Sequence, residues 1–135
     1  ADSNICRNYK LLTSIKGVGP ITAIVMLCST LNFTKITDHR KFACYCGLAP
    51  FEHSSGTSVR GGCHTSSMAN RDIKVQLNRS ALIAIRCDPQ LKAYYERKVA
   101  EGKHKFSVLN AVRAKIAARC FAVVRRGTPY VALQI

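Results

Sequence analysis

The stretch LLTSIKGVGPITAIVML, residues 11–27, joins two apolar segments through a turn with two glycines and a proline. Because Gly17 and Gly19 carry no Cβ, the backbone can turn sharply there and approach a ligand closely. Pro20 suits the first turn of a helix, where no backbone N–H has to join the helical ladder. The pattern predicts a helix-hairpin-helix over residues 11–32, with Lys16 in its turn.

The hairpin belongs to a helical first half. A short first helix is predicted to end near Ser14, and the helix that begins at Pro20 is apolar on nearly every side, which indicates a buried helix. Asp38 is placed to cap a third helix, and Gly47 is placed to end it.

Three further helices are predicted in the second half. Apolar residues share one side of a helix over residues 71–85, and a polar stretch precedes it. The next helix begins after its cap Asp88 and runs up to Gly102, and the last begins at Ser107 and is closed by Gly127. Six helices predict one all-α domain over the whole chain, with a Ser/Gly loop or small β-hairpin between the third and fourth helices. Its predicted parts are a hairpin at 11–32, a serine loop at 48–66 and a helical part at 67–130.

The charge is strongly positive. Lys and Arg total 21 against seven acids in 135 residues, a net charge of +14, and no acid follows Glu101. A folded domain with this balance is typical of nucleic-acid binding. A solvated helical face and a membrane surface are the alternatives. The cations expected to contact nucleic acid are Lys16, Arg60, Lys103, Lys105, Arg113 and Lys115.

The start of the second helix offers a site for phosphate. Its free N–H groups and helix dipole suit an anionic oxygen, and such a contact positions a duplex without reading its bases. The same turn also joins helices that bind no ligand. No signal peptide and no apolar run of membrane length is visible, and the start at Ala1 favours a soluble fragment of a longer protein.

The seven cysteines are expected to be core residues in a reducing cytoplasm. A zinc site from Cys44, Cys46, Cys63 and His64 is the alternative, although its first spacing is CxC and not CxxC. No cluster of carboxylates suggests a metal site in this chain, so any metal-dependent step would need ligands from elsewhere.

The loop FEHSSGTSVRGG, residues 51–62, is either a polar hairpin tip or a working site. Predicted helices anchor it at both ends, and Arg60 with three glycines could cradle a phosphate beside serine hydroxyls. In an extended conformation His53 and Ser55 share a face, while Ser54 points away. His53 is thus a candidate base for Ser55, although no nearby acid completes a hydrolase triad.

Four blocks in order resemble the carboxyl-terminal domain of the insertion-sequence 110/116/902 type transposases, relatives of the Piv pilin-gene invertase. The resemblance covers about residues 11–130, and the blocks are LTSIKGVGPITAIVML, FACYCGLAPFEHSSG with the following RGG, CDPQLKAYYERKVAEGK and AVRAKIAARCFAVVRRGTPY.

The resemblance implies a DNA transposase fragment in which Ser55, directly before Gly56, is the nucleophile, with Ser54 as its alternate. It also implies an amino-terminal RuvC-like domain whose four acids bind Mg, a guide RNA, a homo-oligomeric active complex and a location at the bacterial nucleoid in the cytoplasm. We expect the isolated domain to be inactive and to hold no cofactor. One departure is that only Arg60 supplies charge just after the Ser-Gly pair, where the family is often rich in basic residues.

Two other functions fit the residues. The first is a non-catalytic helix-hairpin-helix module that grips duplex DNA, with the serine loop as a connector. The second is a helical protein-interaction domain whose positive charge is incidental.

Overall fold

The protein is helical throughout the part that the structure describes. This computed structural model describes the backbone of residues 2–45 and 67–131, and the side chains of residues 3–43 and 72–131. No strand occurs in these ranges, which confirms the all-α class for them. The serine loop predicted between the third and fourth helices lies outside the described residues. The helices are α1 (Asp2–Thr13), α2 (Pro20–Ser29), α3 (His39–Tyr45), α4 (Ser67–Cys87), α5 (Pro89–Ala100) and α6 (Lys105–Arg126).

Caps explain where the last two helices begin and end. The Asp88 side chain accepts hydrogen bonds from the first-turn N–H groups of α5, as predicted. α6 begins at Lys105, before the predicted Ser107, because the His104 ring nitrogen accepts from the Phe106 N–H at 3.2 Å. Gly127 ends α6 with a φ of 71°, a left-handed conformation that glycine adopts without strain.

α4 is longer than the sequence pattern predicted. It begins at Ser67, inside the polar stretch that was expected to precede a helix at 71. Polar residues form helical turns where no glycine or proline interrupts them, although they leave no apolar stripe in the sequence. The predicted start at 71 was therefore wrong by about one turn.

α4 and α6 form the centre of the bundle. α6 packs against α1, α3, α4 and α5, while α4 also packs against α2 and α5. Side chains from all six helices meet in one hydrophobic core. The largest fully buried members include Leu12, Met26, Phe42, Ile73, Leu77, Leu91, Val112 and Ile116.

The turn between α1 and α2 fits tightly against α4. Gly17 has a φ of 96°, and a Cβ at this position would lie 2.7 Å from the Ser80 carbonyl oxygen and 3.1 Å from the Ala84 Cβ. Next to this contact, the Thr22 and Ser80 hydroxyl oxygens lie 3.0 Å apart in a buried hydrogen bond. Gly17 therefore lets the turn between α1 and α2 lie directly on the α4 backbone.

α2 is buried on one side only. Thr22, Ala23, Met26 and Leu27 are buried, but Ile21 and Ile24 remain 58% and 50% exposed. The prediction of a helix buried nearly all round was wrong for the outer face. The described helices that pack closely against α2 are α1 and α4, so its opposite side has no neighbour among them.

The cysteines also differ from the expectation of core residues. Cys6, Cys28 and Cys87 are exposed and free, and Cys120 is the buried one among the described cysteine side chains. Burial raises the pKa of the Cys120 thiol to about 12, so it stays protonated and packs as a small apolar group.

Candidate nucleic-acid interface

The predicted serine site falls in the part of the chain without described coordinates. Ser54, Ser55 and Arg60 lie outside the described residues, as does the loop range 48–66 around them. The alternative zinc site also depends on side chains outside the described set. The predicted roles of all these residues stay predictions.

Gly19 lies at an open position between α1 and α2. It is the N-cap residue of α2, and a Cβ built on it would have no atom within 4 Å. Pro20 follows, and among the described side chains none caps this helix. The space beside Gly19 is therefore open, and an anionic oxygen placed there would meet the positive end of the α2 dipole. Gly17 instead faces α4, so the ligand approach predicted for the turn rests on Gly19.

The predicted cations divide between the two ends of α6. Lys103 and Lys105 are exposed at its start, and Lys115 is exposed near its middle. The opposite end lies against the hairpin, because the Tyr130 N–H donates to the Ser14 hydroxyl oxygen at 2.8 Å. A helix of 22 residues is about 33 Å long, so Lys16 in the turn lies far from Lys103 and Lys105. Arg113 is half-buried on α6.

A cluster of aromatic and basic side chains between α5 and α6 was missed by sequence reasoning. The Lys115 Nζ lies 4.6 Å from the centre of the Tyr94 ring, and the Arg97 Cζ lies 5.6 Å from it. The Lys98 Nζ is 6.0 Å away on the same ring. The spacing of Tyr94, Arg97 and Lys98 at i, i+3 and i+4 places them together on one helix face. That spacing was the available signal.

Arg119 links this cluster to the end of the chain. Its Nη1 donates to the Asp88 Oδ2 at 2.7 Å, and its Nη2 donates to the Gln90 Oε1 at 3.1 Å. Its guanidinium also lies over the Tyr130 ring, 4.9 Å from the ring centre. Two hydrogen bonds and one ring contact thus fix the direction of this cation.

The Asp88 carboxyl is held in its charged form. Burial alone raises its pKa, but the hydrogen bond and charge of Arg119, with the backbone N–H groups of Leu91 and Gln90, bring the pKa below its ordinary 3.8. Asp88 therefore caps α5 and ties α5 to α6 as a carboxylate at neutral pH.

Replacing Asp88 with Ala is expected to destabilise the fold by about 2–4 kcal/mol, because α5 loses its cap and Arg119 loses its partner. Since the pKa is lowered in the folded state, this stabilisation is complete above the ordinary pKa and is lost as pH falls through the folded pKa. Urea unfolding at several pH values from neutral to about 3 measures it. If the free energy of unfolding depends on pH in the same way in Asp88→Asn as in the wild type, the Asp88 carboxylate does not provide this stabilisation.

Among the described side chains, no three His, Cys, Asp or Glu groups lie close enough together to hold a metal ion. Within the same part of the chain, no helix is both long and apolar enough to cross a membrane.

Comparison with known families decides how these features are interpreted. The model of the transposase IS116/IS110/IS902 family matches residues 9–96. The chain belongs to this transposase family. The 43.6 kDa protein of insertion element IS110 from Streptomyces coelicolor is 39% identical over 121 residues, which cover 89% of this chain and 29% of that protein.

Two further relatives agree with the family assignment. The pilin gene-inverting protein of Moraxella lacunata is 26% identical over 91% of this chain and 39% of its own length. The 42 kDa protein of insertion element IS900 from Mycobacterium paratuberculosis is 30% identical over 82% of this chain and 28% of its own length. The chain thus spans well under half the length of these relatives. The family match confirms the resemblance that four blocks of the sequence indicated.

Proposed function

We propose that the chain binds DNA and supplies the serine nucleophile for strand cleavage and rejoining in the transposition of an insertion sequence. The observation that carries this proposal is that the family match, residues 9–96, includes Ser54, Ser55 and Gly56 in a chain of net charge +14. The charge supplies affinity for a polyanion, and the serine supplies a group able to form a bond to phosphorus.

The reaction that we propose conserves the energy of the DNA backbone. The Ser55 oxygen attacks the phosphorus of a phosphodiester as its proton passes to a base, for which His53 is the candidate. The bond from phosphorus to one DNA oxygen breaks, and that oxygen takes a proton and leaves as a hydroxyl. A DNA hydroxyl later attacks the phosphoserine and returns the serine, so the strand is rejoined without another energy source.

The remaining parts of the active complex come from outside the described residues. We propose an amino-terminal RuvC-like domain with metal-binding acids, a guide RNA and a homo-oligomeric assembly near the nucleoid. A magnesium ion in that domain would stabilise charge on the transferred phosphate. The described residues of this chain hold no carboxylate cluster that fits such an ion, so their contribution is to bind and orient DNA.

We propose that a DNA duplex lies along the length of α6 and contacts the protein near both ends of this helix. The open first turn of α2 and Lys16 would hold phosphates at one end, and Lys103 and Lys105 would hold them at the other. The length of α6, about 33 Å, corresponds to about ten base pairs of duplex at 3.4 Å each. Backbone contacts at this spacing position a duplex and leave its sequence unread.

Salt dependence tests the DNA-binding part of the proposal. We expect log affinity for a duplex to fall linearly with log salt, with a slope near −0.9 for each neutralised phosphate. Replacing both Lys103 and Lys105 with Gln should reduce the slope by about 1.8, whereas the control Lys35→Gln, on the turn after α2, should leave it unchanged. Fluorescence anisotropy with a labelled duplex measures the slope. A flat wild-type response would contradict DNA binding.

The open α2 terminus also favours a second function, a helix-hairpin-helix module that binds DNA without taking part in the chemistry. Both functions predict the same salt slope. They differ at Ser55, which is dispensable for recombination only in a pure binding module.

A further inference from the structure

A groove with two cavities lies along the seam between α5 and α6, and the hydrogen bond from Arg119 to Gln90 crosses the seam where the cavities meet. Its main cavity has a volume of about 840 Å³, and its lining includes Tyr94, Arg97, Lys115 and Arg119. A second cavity of about 280 Å³ shares Gln90 and Arg119 with the first and continues to Arg126 and Tyr130. We call this surface, from Tyr94 to Tyr130, the tyrosine groove.

We propose that the tyrosine groove binds an unpaired polynucleotide strand, with bases stacked on Tyr94 and on the Arg119 guanidinium that lies over Tyr130, and with phosphates held by Lys115, Arg97 and Arg126. The inference rests on the proposed nucleic-acid function and adds a second surface with a different substrate class. The proposed duplex contacts lie at the α1–α2 turn and at the start of α6, whereas the groove follows the α5–α6 seam and meets the end of α1 through the contact of Tyr130 with Ser14.

The chemistry of the lining favours nucleotides. Each tyrosine ring has a cation beside it, Lys115 at 4.6 Å from the centre of Tyr94 and Arg119 at 4.9 Å from the centre of Tyr130. Among the described residues, no acidic side chain lines either cavity. Rings that alternate with cations are the pattern that binds single strands, because bases stack on the rings while phosphates contact the cations.

The groove requires unpaired bases. A base can lie on the face of a tyrosine only when it has left its own helical stack, and a paired duplex presents phosphates and groove edges instead. From Lys115 to Arg126 the helix rises about 16 Å, which is the length of about five stacked nucleotides at 3.4 Å each. A short single-stranded segment therefore fits the groove from one ring to the other.

The two ring-bound cations have different parts in this scheme. Arg119 is fixed over the Tyr130 ring by its hydrogen bonds to Asp88 and Gln90, so a base at this end stacks on the guanidinium plane. Lys115 has a flexible four-carbon stem and is exposed, so its ammonium can leave the Tyr94 ring for a phosphate. That movement frees the ring face for a base. The groove is therefore rigid at the Arg119 end and can change conformation at the Lys115 end.

Fluorescence anisotropy with labelled oligonucleotides of about 15 nucleotides tests the proposal on the full 135-residue chain. Single-stranded DNA, single-stranded RNA and a duplex of the same sequence form the three arms. Tyr94→Leu should weaken binding of the preferred strand by about 5- to 100-fold, and Tyr94→Phe should stay near wild type. Duplex affinity should change by less than about twofold in both variants.

Tyr95→Leu is the matched control, because Tyr95 is the neighbouring half-buried tyrosine and lines a different cavity, beside Lys103 and Lys105. A loss as large as that of Tyr94→Leu would place the strand at that cavity and overturn the proposal. Melting temperatures identify any variant that fails to fold, and in that case Lys115→Gln with Arg97→Gln replaces it. This pair should reduce the single-strand salt slope by about 1.4, and an unchanged slope would also overturn the proposal.

The outcomes separate this inference from the proposed function. If Tyr94→Leu and the double variant Lys115→Gln with Arg97→Gln both leave single-strand binding unchanged while duplex binding remains, the groove is rejected as a strand site. The proposed DNA-binding function is kept in that case. Absence of binding to every polynucleotide would reject both. Preferential binding of an acidic peptide of matched charge that displaces the strand would assign the groove to a protein partner and reject it as a strand site.

Discussion

Replacing Ser55 with Ala in the full-length transposase is expected to abolish strand exchange, with a loss on the order of 10⁴-fold or more, while DNA affinity changes by less than about twofold. The alanine side chain has no oxygen to attack phosphorus, so the covalent step has no route. The substitution changes no charge, so the phosphate contacts remain. Recombination between two labelled sites and anisotropy with one of them measure the two effects.

Ser54→Ala is the matched control for this experiment. It removes one hydroxyl from the neighbouring position and should retain most of the recombination, because the proposal assigns the nucleophile to Ser55 and not to Ser54. Recombination unchanged by Ser55→Ala and lost in Ser54→Ala would transfer the nucleophile by one residue. Recombination unchanged in both would leave the non-catalytic DNA-binding module as the function of this chain.

Replacing Gly17 with Ala is expected to destabilise the fold by about 2–4 kcal/mol. At a φ of 96° an L-residue is strained, and the added Cβ would lie 2.7 Å from the Ser80 carbonyl oxygen. The Ser80 oxygen belongs to the α4 backbone, which cannot rotate away as a side chain would. Urea unfolding followed by circular dichroism gives the free energy of unfolding.

Gly19→Ala provides the contrast two residues away. Gly19 has a φ of −96°, and a Cβ there meets no atom within 4 Å. We expect a stability cost below about 1 kcal/mol, and a larger effect on DNA affinity if phosphate sits on the first turn of α2. If Gly17→Ala and Gly19→Ala destabilise the fold equally, the close contact with Ser80 is not the reason why position 17 requires glycine.

Local signals in the sequence predicted much of the helical framework. Asp88 before Pro89 marked the start of α5, and Gly127 marked the end of α6, because caps depend on neighbouring residues alone. The Gly-x-Gly turn likewise located the break between α1 and α2. These features could be predicted since their physical cause lies within a few residues of chain.

Features that depend on distant neighbours could not be predicted in the same way. The apolar sequence of α2 predicted a buried helix. It could not show that Ile21 and Ile24 lie on the side of α2 that faces no described helix. Cys28 is exposed although it lies on the apolar helix α2, because its exposure depends on which side of α2 has helical neighbours. The turn after α2 is another example, because Leu31, Asn32 and Phe33 all have positive φ without being glycine.

That turn is stabilised by contacts far along the chain. The Asn8 side chain donates to the Asn32 side-chain oxygen at 2.8 Å, and the Phe33 ring packs edge-on against Phe121 at 4.9 Å. Contacts of this kind offset the cost of left-handed conformations in non-glycine residues. Sequence periodicity holds no information about them.

The candidate site shows the same division. Composition predicted an affinity for polyanions, and the Gly19 turn located a helix terminus that the structure leaves open. The groove between Tyr94 and Tyr130 escaped prediction because it is formed by two helices whose contact is tertiary. Lys115 was predicted as a nucleic-acid contact, but its ring partner lies on another helix, 21 positions earlier in the sequence.

The central claim, that a serine in this domain bonds covalently to DNA, is tested most directly by trapping the adduct. The full-length transposase is incubated with a radiolabelled DNA whose cleaved end is short enough to diffuse away, and the products are run on a denaturing gel. The account predicts a labelled protein band that Ser54→Ala retains and Ser55→Ala lacks. An enzyme that recombines DNA without forming such a band, or one that forms it equally in Ser55→Ala, would contradict the account.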